Sequence, residues 1–347
     1  MAVVRQSILW RNFPSNPYLV SKADGSRYVR GQRCDFDSWK TAGWTVDELM
    51  PYFKQVRAIM AEWLMQMTDR YPQIETYHGR GDSATHGYKG PIQVSDGSFR
   101  CHTSSDEIIN AAKTLGYDEL KDAQAFDSAM GFERWSHYIS PEGRRQDTAH
   151  TYLRPKLRDG GHPNLHVLVE SKVVRVLFDD SHRAYGVEIT PNPEYQTSTP
   201  MTEHPTYVIK ARKLVVVSSG ALGSPLILER SGIGSPEILK SAGVPLLIDL
   251  PGVGHNYQDH NLIYCPYRTS LQPTETLDAL WSGRRIQEAA IKDKDPLLGW
   301  NACDIYGQIR PTDEEVDQLG PHFMKAWDED FKDYSNKPFM LIGTVSG

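Results

Sequence analysis

The stretch from Lys213 to His260 holds the residues whose types and spacing suit chemistry. Leu214 to Val217 are four consecutive apolar residues, and Ser218, Ser219 and Gly220 end the run before Ala221. A strand that stops at a glycine and feeds a helix presents backbone N–H groups and a helix N-terminus, which suit the phosphates of an anionic cofactor. The same turn serves as a tight structural corner, and the local pattern leaves both readings open. The four cysteines (Cys34, Cys101, Cys265, Cys303) have no short spacing, so neither a metal-binding pair nor a disulfide framework is expected. The twelve histidines are dispersed as well, none in a two-histidine helical spacing with a carboxylate, and no metal site is expected.

The elements that must position this turn can be read around it. Leu214–Val217 has no polar alternation, as in a strand buried on both faces of a parallel sheet. Ser224-Pro225 predicts a helix start, a capping hydroxyl followed by proline at the first helical position. Gly232 predicts its end. Ser235-Pro236 starts a second helix closed by Gly243, and Leu246 to Leu250 is apolar again. Strand, glycine turn, helix, helix and strand follow one another in an order that suits a nucleotide-binding α/β sheet.

At 347 residues the chain has room for about two domains. Its apolar and charged contents are ordinary for a globular protein, and a net charge of −6 offers no attraction to nucleic acid or an anionic membrane. No apolar run approaches the roughly 18 to 20 residues that span a bilayer, and Met1–Trp10 does not read as a secretory signal. A reducing or disulfide-indifferent compartment is expected.

The whole string says more than the turn. Gly220-Ala221, Ser224-Pro225, Ile227-Leu228 and Ser231-Gly232-Ile233-Gly234 resemble the second signature of the glucose–methanol–choline oxidoreductase family. Pro251-Gly252-Val253-Gly254 with Asn256, Gln258, Asp259 and His260 resembles the family's next block. Upstream, Arg30-Gly31 and Asp35-Phe36-Asp37-Ser38-Trp39 are similar to the segment after its first signature, and Ile309–Thr312 with Asn336-Lys337-Pro338 looks closest to the alcohol (methanol) oxidase branch.

The resemblance implies an α/β FAD-binding, Rossmann-like domain, incomplete here, with part of an α+β substrate domain. It implies FAD as cofactor, with Gly220, Ala221 and the main chain of Val173 at the adenosine site. The side chain of Val173 is read as an ordinary β-branched strand residue. The implied parent activity is oxidation of a short primary alcohol to the aldehyde, with oxygen as acceptor and hydrogen peroxide as product. An aryl-alcohol or sugar oxidase of the same family, or a non-enzymatic fragment, are the alternatives. Full-length relatives are expected to be homo-oligomeric and peroxisomal. The family's glycine fingerprint lies before Arg27 and its catalytic histidine near the C-terminus, and neither is found in this sequence. The chain therefore reads as an internal fragment, inactive alone, with no catalytic residue assigned. His260 is expected to fix a loop by hydrogen bonding.

The remaining text divides as 1–26, a loop or leader; 27–152, cofactor-covering and substrate-domain segments; 153–260, part of the FAD-binding domain; and 261–347, the substrate domain, cut short. Thr45 with Glu48 forms a capping box for a helix over Val46–Phe53. Gln55–Ile74 has an apolar stripe at helical spacing where the resemblance lapses, and it reads as an insertion. Gly90–Val94 is a short strand. Asp106–Leu115 is an amphipathic helix capped near Ser104 or Ser105. Gly143–Leu153 is a basic turn running into a helix, matched to a linker in the family. Leu165–Val169 and Lys172–Leu177 are strand material, and an Asp-Asp-Ser turn leads back through Ala184–Ile189 as a hairpin. Pro191–Pro205 is a loop and Tyr207–Lys210 a strand. Asn261–Arg268 is expected as a strand, Thr276–Ala290 as a helix, Leu297–Pro311 as loop and strand, and Thr312–Tyr334 as an acidic, solvated helical region.

Overall fold

A computed structural model describes residues 2–4 (backbone only), 27–54, 74–81, 84–192 and 205–346. Most of the 55–74 and 191–205 readings, and of the 1–26 reading, lies outside them. The strands in chain order are β1 (Ala2–Val4), β2 (Glu75–Tyr77), β3 (Ile92–Val94), β4 (Gly131–Arg134), β5 (Ser171–Phe178) and β6 (Ala184–Pro191). They continue as β7 (Tyr207–Lys210), β8 (Val215–Val217), β9 (Ile233–Gly234), β10 (Ile248–Asp249), β11 (Ile305–Ile309) and β12 (Met340–Gly343). The chain forms two compact units. One gathers residues 1–14 and 163–267, and the other 15–162 and 268–347.

In the first unit, β5, β6 and β7 make an antiparallel sheet in that order. The β5–β6 hairpin closes as the sequence predicts, because Asp179 accepts from the N–H groups of Ser181 and Arg183 and from the Ser181 hydroxyl. β8 pairs in parallel with β1, so residues 2–4 form a strand where the sequence reading placed a loop or leader. The core is Val176, Val187, Ile189 and Ile227, with Val173, Val215 and Val217 packed against it. The apolar run at 214–217 is a correction to the two-faced burial expected of it. Leu214 is 48% exposed and the three valines are only half-buried, because the run packs on the 173–189 hairpin through one face.

The helix after β8 is Gly220–Arg230, five residues longer at its start than Ser224-Pro225 implies. Ser224 Oγ is not a cap but accepts the Ser219 N–H at 3.0 Å across the first turn. Pro225 then lies inside the helix, early enough that few intrahelical bonds are lost. Gly232 (φ +84°) and Gly243 (φ +66°) stand just past the two helix ends, as the sequence predicts, and Pro236 is the first residue of the Pro236–Ser241 helix. Leu165–Val169 is a correction. It forms no strand and its three C-terminal residues are exposed, since Glu170 turns the chain through φ +55° before β5 begins. Asn261–Arg268 likewise forms no strand; all eight residues are exposed, and no described strand pairs with them.

The second unit is built on the antiparallel sheet β12–β11–β4 and the parallel pair β2–β3. The Val46–Lys54 helix carries its capping box, with Glu48 N–H on Thr45 Oγ1 and Thr45 N–H on Glu48 Oε2. The next long helix, His102–Thr114, begins earlier than expected. The hydroxyls of Ser104 and Ser105 bond back to the Cys101 carbonyl instead of capping, and the Cys101 N–H is taken by Asp304 Oδ2 at 2.9 Å. The helix expected over Thr276–Ala290 is broken into Asp278–Trp281 and Gln287–Lys292 by Gly283 (φ +72°). The acidic region splits at Gly320-Pro321 into Asp313–Gln318, capped by Thr312 with Glu315, and Pro321–Asp330. The run at Gly143–Leu153 turns at Gly143 and enters a five-residue π-helix, Ala149–Leu153. Among the described residues no helix is long and apolar enough to cross a membrane.

Candidate functional site

Gly220 sits at the first turn of the Gly220–Arg230 helix with φ +82°, a conformation that glycine alone adopts without strain. A Cβ placed on it would meet no atom of the protein within 4 Å. The glycine thus faces open space, and backbone can be approached there closely. Ala221 is exposed beside it. Ser219, which precedes this 11-residue helix, makes no side-chain cap bond, and a helix start of this kind favours negative charge.

Val173 lies in β5 opposite Ile189, and its half-buried side chain packs into the unit's core. β5 is the outer strand of its sheet, and a register shift between Val173 and Arg175 disturbs the ladder at this point. Farther along the same outer edge, the Val176 N–H is taken by Ser231 Oγ at 2.8 Å. That bond ties β5 to the end of the Gly220–Arg230 helix, while Val215, Val217 and Ile227 fill the space between. Val173 and the Gly220–Arg230 helix therefore belong to one packed assembly. His260 is exposed, and its backbone N–H is held by its neighbour Asp259, which also accepts from the Tyr257 hydroxyl.

These features fit a dinucleotide such as FAD. The fit lies in an uncapped helix start with an open glycine and in an outer main-chain edge at Val173.

The second unit holds a buried polar cluster that sequence reading did not identify. His86 stands four residues before the strand read at Gly90–Val94, with no spacing to mark it. Its imidazole is fully buried, with Nδ1 3.1 Å from Glu75 Oε1 and Nε2 3.0 Å from Asp122 Oδ2. Tyr77 stacks on the ring at 3.7 Å between centroids. Glu75 Oε1 also accepts from Arg30 Nη2 at 2.8 Å and from the Tyr28 hydroxyl at 3.2 Å. Burial works against the ionised forms of Glu75 and Asp122, yet the His86 hydrogen bonds and the Arg30 charge hold both carboxyls below their ordinary range. Burial also opposes the imidazolium, but the two carboxylates raise His86 above the usual histidine value. In β4, burial pushes Glu133 up to about 7, against hydrogen bonds from Gln124 and the Ala123 N–H. A cavity of about 270 Å³ opens against Asp122, Gly81 and Thr85. Among the described residues no group of histidine, cysteine and carboxylates could hold a metal ion.

Residues 21–262 match the sequence model of GMC oxidoreductases. The chain is 32% identical over 327 residues to an alcohol oxidase of Candida boidinii and, over the same length, to one of Pichia angusta, covering 92% of this chain and 45% of each relative. It is 30% identical over 303 residues to an oxygen-dependent choline dehydrogenase of Burkholderia lata, covering 85% of this chain and 47% of that protein. The chain thus spans about half the length of the curated relatives it matches. Among solved structures, an FAD-dependent oxidoreductase from Chaetomium thermophilum superposes with a TM-score of 0.70 at 22% identity, covering 94% of this chain and 59% of the other. A formate oxidase gives 0.69 at 17% identity, over 92% and 52%. Likeness at these identities establishes the shared fold.

Proposed function

Since this chain belongs to the GMC oxidoreductase family, enzymes whose cofactor is FAD, we propose that it is part of a flavin enzyme that oxidises a short primary alcohol to the aldehyde, with oxygen as acceptor. The single observation that carries this reading is its likeness to alcohol oxidases along nearly the whole chain. Within it, residues 153–260 are the FAD-binding part, and Gly220 and Ala221 hold the adenosine end through the uncapped helix start. Val173 contributes its main chain from the outer edge of β5. When bound, FAD supplies the acceptor for the hydride that leaves the alcohol carbon. The role of these three residues is to seat and orient it: the helix start favours negative charge, and an open glycine lets a phosphate or ribose approach the backbone. The same reading extends to a peroxisomal location and homo-oligomeric assembly.

Titration of FAD against the purified chain, read by quenching of flavin fluorescence, tests the site. Binding is expected for the natural sequence and should weaken at least tenfold in Gly220→Leu; unchanged binding removes Gly220 from it. The substrate is tested with a panel of alcohols on the full-length protein, measuring peroxide. Turnover of aryl alcohols or sugars in place of methanol and ethanol would move it to another branch of the family.

A further inference from the structure

The buried Tyr28 hydroxyl lies 3.2 Å from Glu75 Oε1 and 3.2 Å from His86 Nδ1. On the far side of the imidazole, Nε2 is 3.0 Å from Asp122 Oδ2. With the ring neutral, its Nε2–H donates to Asp122 and Nδ1 accepts from the phenol; with the ring charged, Glu75 Oε1 is the phenol's acceptor. A base therefore stands at the Tyr28 hydroxyl in either state. Burial holds the phenol above the ordinary tyrosine range, so it is protonated at rest. The Arg30 guanidinium lies 5.4 Å from the Tyr28 ring centre and opposes a second positive charge there. An electron thus leaves this ring together with the hydroxyl proton, and what remains is a neutral phenoxyl radical, free of the desolvation cost of a buried charge.

Tyr28 is also the inner end of a row of tyrosines. Its ring centre is 5.9 Å from that of Tyr77, and Tyr77 is 6.4 Å from Tyr88. Tyr28 and Tyr77 are 1% and 4% exposed, whereas Tyr88 is 38% exposed and donates its hydroxyl to the Gly81 carbonyl at 3.0 Å. The Tyr77 phenol meets the Ser136 hydroxyl, which in turn lies 3.3 Å from Asp96 Oδ1, on a carboxylate open to solvent. Ring packing alone is served by phenylalanine. A phenol set against a carboxylate and an imidazole adds what a benzene ring lacks, one-electron oxidation coupled to proton loss.

We propose that Tyr28 is a redox-active tyrosine, oxidised by one electron to its phenoxyl radical and restored through Tyr77 from Tyr88 at the surface. In the first step the Tyr28 O–H bond breaks, the electron passes to an oxygen-derived radical of the class that peroxide forms with a ferrous ion, and the proton goes to Glu75 or His86. Tyr77 then returns an electron to Tyr28, which recovers its proton, while the Tyr77 proton moves toward Ser136 and Asp96. Tyr88 does the same for Tyr77 and releases its own proton to water. A soluble one-electron reductant such as ascorbate, with a proton from water, restores Tyr88. The path stands whether or not the chain oxidises alcohols, and its test uses neither FAD nor alcohol.

The intact chain carrying Cys265→Ser and Lys89→Cys, labelled at the introduced thiol with a ruthenium tris-bipyridyl photosensitiser beside Tyr88, tests this. A flash with a soluble cobalt(III) acceptor leaves ruthenium(III), which draws an electron through Tyr88. High-field electron paramagnetic resonance of frozen samples should show one sharp, hydrogen-bonded tyrosyl signal, because the base at its hydroxyl makes Tyr28 the most readily oxidised of the three. That signal should fall at least tenfold in Tyr28→Phe and in Tyr77→Phe, leaving the broad spectrum of an exposed radical at Tyr88. Ascorbate mixed in after the flash should discharge it, and its survival overturns the surface outlet. An undiminished sharp signal in Tyr28→Phe overturns the assignment of Tyr28, and one in Tyr77→Phe overturns the path. Only the broad spectrum in the labelled chain with all three tyrosines overturns the proposal outright, whether or not the phenylalanine variants fold.

Discussion

Glu133→Gln isolates the energetic consequence of a buried acid. Glu133 is 3% exposed in β4, and its two oxygens accept from the Ala123 N–H at 2.7 Å and from Gln124 Nε2 at 2.6 Å. Those bonds favour the carboxylate, but burial and the nearby Asp122 charge outweigh them and carry the group from 4.5 to about 7. The folded value lies above the unfolded one. Stability contributed by the protonated acid is therefore complete below about pH 4.5 and is lost as pH rises through about 7. At about 1.4 kcal/mol per tenfold, a displacement of that size amounts to about 3 kcal/mol lost by pH 8. Glutamine keeps the shape and cannot ionise. It satisfies one donor and sets an NH₂ against the other, so at pH 5 the variant should be less stable by about 1–2 kcal/mol. Urea denaturation at pH 5 and pH 8, followed by tryptophan fluorescence with Trp135 and Trp300 buried in the same unit, measures both terms. Taking the difference between variant and natural chain removes contributions common to both, including the titration of His86. The difference should shift in favour of Glu133→Gln by about 2.5 kcal/mol between the two pH values, since part of the loss has already occurred by pH 5. A difference that stays constant with pH would mean Glu133 is ionised throughout and would refute the reasoning.

Three further substitutions test the packing around the sites. Ile227→Ala removes the most buried side chain of the first unit's core, which lies between β5 and β8; a loss of about 2–5 kcal/mol in denaturant midpoint experiments is expected, with weaker FAD binding following from the disturbed helix. Arg310→Lys should cost about 2–3 kcal/mol, because the guanidinium donates to the carbonyls of Phe331, Tyr334 and Lys337 and lies 4.5 Å over the Trp327 ring, a fork that an ammonium cannot reproduce. Faster hydrogen exchange across 331–337 would report it. Gly143→Ala combines φ +78° with a Cβ 2.6 Å from Gly299 Cα, so a drop in thermal midpoint is expected, accompanied by a near-ultraviolet circular dichroism change from the neighbouring Trp300.

What the sequence determined by itself is what depends on near neighbours. Thr45 with Glu48, Ser235-Pro236, Gly232, Gly243 and the 179–183 turn occur where they were read, because a cap or a left-handed residue is satisfied within a few positions of itself. The family was legible too, since its signature is a string of such local requirements around Gly220. Only the tertiary structure decided which faces are covered. Leu214–Val217 looked buried on both sides, yet its burial depends on what packs against it, and Leu214 stays exposed. Ser224 looked like a cap, but the helix runs back to Gly220 and the hydroxyl takes a bond inside the turn. His86 shows the limit most sharply. Glu75, eleven residues before it, and Asp122, thirty-six after it, have no spacing that marks them as partners. The ion cluster exists because β2 and the loop at Asp122 pack on either side of one ring, and side chains brought together by packing leave no periodic trace in the chain.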